Sequence, residues 1–323
     1  MSSPTVNTLI FSGAGYFGIL YMGIIRYLED NNLVNDIKTI YGVSAGSLFG
    51  LLFSLGYTSE ECRIMFRTTI DLSKLLAVQG RDILHMGQTY GASNGHYLEQ
   101  SIKHLIENKG HNPYMTVEDF YKLTGIDFKI GVSLMVQERY ELISHNNRGD
   151  MPLWLAIRMS CTIPLLLTPV KDEGYGDFIC DGGILCNTPI SYYLNDIYPE
   201  PARHSVATQT EDPPEGETAI AMQEDPPRYA IGCLCVNILN NNLPEIPIDQ
   251  YSFVDYINAI IKKLFYYQDC MNPTYHPYML NIDCKKYNFM TSITYNITEE
   301  QVDYVVQDGY NATAEYMRSI TRS

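Results

Sequence analysis

Gly42-Val43-Ser44-Ala45-Gly46 places a serine between two glycines in the G-x-S-x-G spacing. Small residues on either side let a strand turn sharply into a helix and push the Ser44 hydroxyl out at the tip, while the helix N-terminus adds partial positive charge nearby; this is the local chemistry of a nucleophile elbow. Upstream, Gly13, Gly15 and Gly18 spell G-x-G-x-x-G, the pattern of a turn that cradles a dinucleotide's phosphates. A dinucleotide site needs an acidic residue at the end of the second strand, about 20 positions beyond the glycines. Here Asp36 precedes that strand, and the strand ends in the serine motif instead. Each motif alone is weak, since a bare G-x-S-x-G also reads as a serine N-cap. On adjacent β-turn-α units they reinforce each other. Parallel neighbours end side by side, so the N–H groups of Gly13, Ala14 and Gly15 would lie free beside Ser44 and could hold the oxyanion of an ester under attack.

The elements that must position these residues alternate between strand and helix. "NTLIFSG" (7–13) and "IKTIYGVS" (37–44) read as short strands, each followed by a helix, the second closed by Gly56. Capping boxes at Thr58/Glu61 and Thr298/Gln301 open further helices, two amphipathic helices fall within 94–123, and "DFKIGVSLMV" with "RYELISHN" reads as a strand pair turning at Gln137 and Glu138. A helix over 152–161 starts at Pro152, and extended segments follow to Asp181. Residues 199–228 are rich in Pro, Glu and Thr and read as an acidic mobile loop. The expected organisation is a catalytic core over 6–195, the loop over 196–229, and a strand and helices over 230–323 that complete the same domain. The helix at 251–270 carries Phe253, Ile257, Ile260, Ile261, Leu264 and Phe265 on one broad face, which suits packing on the sheet better than insertion into a lipid interface.

Composition narrows the function classes. A formal charge of −15 over 323 residues, with no Lys/Arg run, argues against nucleic-acid binding. No apolar run is long enough to span a bilayer, and the N-terminus lacks a basic start and a cleavage site, so the expectation is an intracellular protein, soluble or peripheral to membranes. The 8 cysteines show no C-x-x-C spacing and read as buried free thiols; the 7 histidines are scattered, and neither a metal nor another cofactor is expected.

These segments, taken in order, resemble the patatin-like lipid acyl hydrolases: "GAGYFG", "GVSAG", "TVEDFYKLTGIDFKIGVSLM", "AIRMSCTIPLLLTPV" and "CDGGILCNTPI". The resemblance covers roughly the first 195 residues and implies a three-layer α/β/α sandwich with a mostly parallel central sheet. It implies a Ser-Asp dyad, with Ser44 as nucleophile and Asp181 of Asp181-Gly182-Gly183 as base, an oxyanion hole at Gly13, Ala14 and Gly15, and Gly18, Gly42, Gly46, Gly182 and Gly183 as motif glycines. An aspartate near its reference pKa of about 3.9 is a weak base, so close geometry and a dry site would have to compensate. Apart from the family, Asp181 reads as a turn residue ahead of two glycines. Two positions depart from many members: Ala14 interrupts the glycine run, and Phe17 stands where an arginine is common. The apolar turn is similar to that of the adipose triglyceride lipase branch, and leaves both phospholipid and neutral glycerolipid open. The expected function is hydrolysis of glycerolipid acyl esters at a membrane or micelle surface. The alternative is a non-catalytic lipid-binding or regulatory member of the same fold.

Overall fold

The computed structural model of the chain describes residues 6–69, 86–172, 174–197, 232–239, 259–260, 263, 279–287 and 297–322. The acidic stretch 199–228 and nearly all of the expected helix at 251–270 lie outside the described residues.

In chain order the elements begin with β1 (Thr8–Phe11), α1 (Leu20–Asp30), β2 (Thr39–Val43), α2 (Ala45–Ser54), α3 (Ser59–Thr68), β3 (Gly91–Ser93), α4 (His96–Asn108) and α5 (Val117–Thr124). They continue with β4 (Asp127–Leu134), β5 (Arg139–Ile143), α6 (His145–Arg148), α7 (Leu153–Ser160), β6 (Leu165–Leu167), β7 (Val170–Asp172) and β8 (Asp177–Asp181). The last are α8 (Ile190–Ile197), β9 (Cys233–Leu239), β10 (Met279–Asp283) and α9 (Glu299–Arg322). Helix starts follow their caps. Thr58 and Glu61 exchange hydrogen bonds of 3.2 and 2.8 Å ahead of α3, and Thr298 and Gln301 do so at 3.3 and 2.9 Å ahead of α9.

Strands β10, β9, β1, β2 and β4 lie side by side and parallel, in that order. Strand β8 runs antiparallel to β4 and carries β7 at its far side, while β5 also pairs antiparallel with β4. Alternation along the strands divides the core. Leu9, Phe11 and Ile40 join the large apolar cluster with α1, α2, α7 and α9, whereas Ile10 and Tyr41 face Ile190 and Tyr193 of α8 on the opposite side. Helices therefore cover both faces, and the fold is α/β with a mostly parallel central sheet, in three layers.

The C-terminal helix is bound closely to the first. A Cβ on Gly23 of α1 would fall 2.0 Å from the Val306 carbonyl oxygen, and one on Gly309 of α9 would fall 2.4 Å from that of Leu20. Only glycine permits backbones this near. Strands β9 and β10 likewise extend the sheet that begins at β1, so the described residues beyond 230 are built into the same layers as those before 195.

Candidate active site

Strand β2 ends at Val43, and Ser44 follows with φ 52° and ψ −124°, a left-handed conformation that an L-residue adopts only under constraint. The constraint is packing around the two motif glycines. A Cβ on Gly42 would come within 2.7 Å of the Ser47 Cα, and one on Gly46 within 2.2 Å of the Phe11 carbonyl oxygen on β1. The Ser44 carbonyl starts α2 by accepting from the Ser47 and Leu48 amides at 2.9 and 3.3 Å, but its hydroxyl makes no capping bond. Ser44 thus occupies the N-cap position of α2 without capping it through its side chain, and the hydroxyl is left for other work in a residue only 7% exposed.

Asp181 arrives from the opposite direction. Strand β5 occupies one edge of β4 across Ile130 to Leu134, so β2 and β8 share the other edge and meet on it end to end. Val43 lies opposite Gly131 and Asp181 opposite Val132, on consecutive positions of the same strand. Two chain ends thus converge where each stops. The junction is close enough that a Cβ on Gly182 would fall 2.5 Å from the Gly131 carbonyl oxygen.

The Asp181 carboxyl is 0% exposed. Its Oδ1 accepts the Gly183 N–H at 2.8 Å, which is the turn role expected of an aspartate before two glycines. Among the described residues its Oδ2, shielded from solvent, has no hydrogen bond of ordinary geometry. Burial pushes the carboxyl from 3.8 up to about 7, against which the Ser44 hydroxyl and the Gly183 amide pull it down. This corrects the expectation of a weak base near 3.9. Desolvation makes the carboxylate a much better proton acceptor than its residue type suggests, and no histidine contributes to its electrostatics among the described residues. His204 and His276 lie outside them.

The glycine turn lies against the elbow, for a Cβ on Gly13 would come 3.4 Å from the Ser44 Cβ. Its three amides are not equivalent. Gly13 donates its N–H to the Asn187 carbonyl at 3.1 Å and accepts from the Asn187 side-chain amide at 3.1 Å. The expectation of three free donors is therefore corrected at Gly13, whose amide is already engaged. Among the described residues the Ala14 and Gly15 amides have no partner. Ala14, at φ −131° and ψ −11°, has a backbone that a Cβ tolerates, and the left-handed position falls on Gly15 at φ 51°. Phe17 is core, 2% exposed and 6.0 Å from the Tyr287 ring. A Cβ on Gly18 would come 2.9 Å from the Phe49 ring, so this glycine serves helix packing.

Residues the motifs did not single out complete the surroundings. The buried Ser160 hydroxyl accepts the Ser44 N–H at 2.9 Å and donates to the Gly131 carbonyl at 2.7 Å. The Cys161 thiol donates to the Ser44 carbonyl at 3.2 Å. Asn187 was within reach of the sequence as a polar residue just after the Asp-Gly-Gly turn; nothing in the local pattern marks Ser160. Cys62, Cys180, Cys233, Cys235 and Cys284 are buried, and Cys161 and Cys186 are half-buried. Among the described residues no group of three or more His, Cys, Asp or Glu side chains could hold a metal ion, and no helix is long and apolar enough to cross a membrane.

The turn that carries Ser44 and the buried Asp181 thus meet end to end along one edge of β4. The family model described as patatin-like phospholipase matches residues 9–194, and the chain belongs to that family of lipid acyl hydrolases. It is 30% identical over 199 residues to the uncharacterized protein R571 of Acanthamoeba polyphaga mimivirus, covering 61% of this chain and 64% of that one. It is 26% identical over 187 residues to the "Probable lipid hydrolase 463L" of Invertebrate iridescent virus 6, covering 57% and 62%. The matches thus span somewhat less than two thirds of these relatives' length. Among solved structures, VipD from Legionella pneumophila shares the fold with a TM-score of 0.58 at 15% identity, over 98% of this chain and 67% of that one.

Proposed function

We propose that the protein hydrolyses acyl esters of glycerolipids through a Ser44–Asp181 dyad. The observation that carries this reading is the meeting of β2 and β8 on one edge of β4, which brings a strained, uncapped serine to a buried carboxyl with a raised pKa. Ionised Asp181 takes the Ser44 hydroxyl proton as the oxygen attacks the ester carbonyl. The Ala14 and Gly15 amides donate to the oxyanion of the tetrahedral intermediate, a contribution that typically costs about 3 kcal/mol per donor when removed. The C–O bond to the glycerolipid breaks, the leaving alkoxide takes the proton from Asp181, and the acyl group stays on Ser44. Water then attacks the acyl-serine, gives its proton to Asp181, and releases the fatty acid as Ser44 recovers its own. Gly13 holds the turn in register through Asn187 and does not donate to the oxyanion.

The two departures of the glycine turn do not favour a non-catalytic member. Ala14 sits in a permitted conformation and Phe17 belongs to the core, so neither obstructs the hole. Release of p-nitrophenol from short- and long-chain p-nitrophenyl esters, compared between the native protein and folded Ser44→Ala and Asp181→Asn variants, tests the dyad. Both variants are expected to lose at least about 10³-fold in kcat, with native activity unchanged by EDTA. A native protein inert towards esters in solution and in micelles, yet able to bind a fatty-acyl probe, would instead establish the lipid-binding alternative. A panel of phospholipids, lysophospholipids and triacylglycerols then separates the substrate classes.

A further inference from the structure

Three consecutive residues where α7 ends touch the backbones of both dyad members. Ser160 bridges the Ser44 N–H and the Gly131 carbonyl through its hydroxyl, at 2.9 and 2.7 Å. It fills the gap on the edge of β4 that opens where β2 peels away into the elbow. Cys161 donates its thiol to the Ser44 carbonyl at 3.2 Å, alongside the Ser47 hydroxyl at 2.7 Å. The Thr162 carbonyl accepts the Asp181 N–H at 2.8 Å. Thr162 is itself fixed, since its hydroxyl donates to the Arg158 carbonyl at 2.7 Å and accepts from the buried Arg158 guanidinium. That guanidinium is held in turn by the Thr168 and Asn94 carbonyls at 3.0 and 3.3 Å.

A backbone in the conformation of Ser44 persists only where its surroundings over-determine it. Here the amide and the carbonyl of the nucleophile are both gripped from the same short span that also grips the base. We infer that Ser160 and Cys161 are positioning residues, which fix the Ser44 backbone at the separation from Asp181 that proton transfer needs, while Thr162 sets Asp181 from the same span. Burial raises the Cys161 thiol to about 12, so it stays a donor throughout the working pH range. The inference rests on the dyad reading proposed above.

The test measures kcat and KM for p-nitrophenyl butyrate, and the second-order labelling rate with a fluorophosphonate, in the native protein, Ser160→Ala, Ser160→Cys and Cys161→Ala, with a melting curve for each. A displacement of about 1 Å at a reacting group costs on the order of 10²-fold, so Ser160→Ala is expected to lose about that in kcat, and in labelling rate, with KM within about twofold. Ser160→Cys, close in volume and able to donate to the Gly131 carbonyl, should recover about tenfold of the loss. Cys161→Ala should lose only about fivefold, because Ser47 still donates to the same carbonyl. A folded Ser160→Ala with native kcat, or Ser160→Cys no better than Ser160→Ala, overturns the inference and leaves the dyad standing. If Ser160→Ala does not fold, unchanged kcat in Cys161→Ala overturns it instead. A native protein that neither turns over ester nor takes the label overturns the dyad reading and this inference together.

Discussion

Replacing Asp181 by asparagine should make the protein more stable, and by an amount that depends on pH. Asparagine keeps the acceptor that Oδ1 offers to the Gly183 N–H and removes the charge. In the folded protein the carboxyl titrates near 7, whereas in the unfolded chain it titrates near its ordinary 3.8. Below about pH 4 both states hold the proton and the carboxyl's ionisation contributes nothing. As pH rises from there, the unfolded chain ionises while the folded one does not, so the native protein loses stability through the window up to about 7; above it the loss is complete. At one pKa unit per 1.36 kcal/mol, the loss is roughly 1.6 kcal/mol at pH 5 and about 4 kcal/mol at pH 8. Whatever Asp181→Asn changes in packing or hydrogen bonding is independent of pH. The excess stability of the variant over the native protein should therefore be about 2 to 3 kcal/mol greater at pH 8 than at pH 5. Urea unfolding of both proteins at the two pH values gives this double difference directly. A difference flat with pH, or larger at pH 5, would refute the buried, high-pKa carboxyl. The same group should appear in catalysis, with kcat/KM rising with pH through a midpoint near 7, because the base acts in its ionised form.

Other perturbations probe the elbow, the turn and the C-terminal helix. Ser44→Gly should abolish turnover and raise stability by about 1 kcal/mol in urea, since glycine accepts the φ of 52° without strain. Gly13→Ala places a Cβ 2.3 Å from the Asn187 Oδ1, so the Asn187 clamp must move; kcat should fall by about 10²-fold and stability by about 1 to 3 kcal/mol, read by ester turnover and urea unfolding. Gly23→Ala sets a methyl 2.0 Å from the Val306 carbonyl oxygen and should destabilise by about 3 kcal/mol. A Gly23→Ala variant as stable as the native protein would mean that α9 does not pack on α1 as found.

The features that could be read from the sequence are those whose cause is local. Gly42, Gly46 and Gly15 are required by contacts or dihedral angles within a few residues of Ser44 or of the turn itself, or by the adjacent strand, and short motifs record such demands faithfully. The capping boxes are local in the same sense. What escaped the sequence depends on register between distant segments. That Asp181 lies opposite Val132, one position beyond the partner of Val43, follows from how β8 is laid along β4, and no pattern near residue 181 encodes it. The same holds for Gly13, whose amide is engaged by a residue 174 positions away, and for Ser160, whose hydroxyl is ordinary until β2 peels off beside it.

The pKa of Asp181 is the sharpest case of this division. Residue type alone gives a weak base, and the sequence offers no neighbouring charge to change it. Burial does so instead, and burial is a property of the whole sheet: a strand arriving from the far side of the chain, Gly182 close enough to pack on Gly131, and α7 closing over the junction. The raised pKa and the convergence with Ser44 thus share one origin. A strand end driven into the interior to meet another strand end must carry its carboxyl out of water, and the desolvation that penalises the folded state is what raises the basicity of that carboxylate, the property on which the proposed dyad draws.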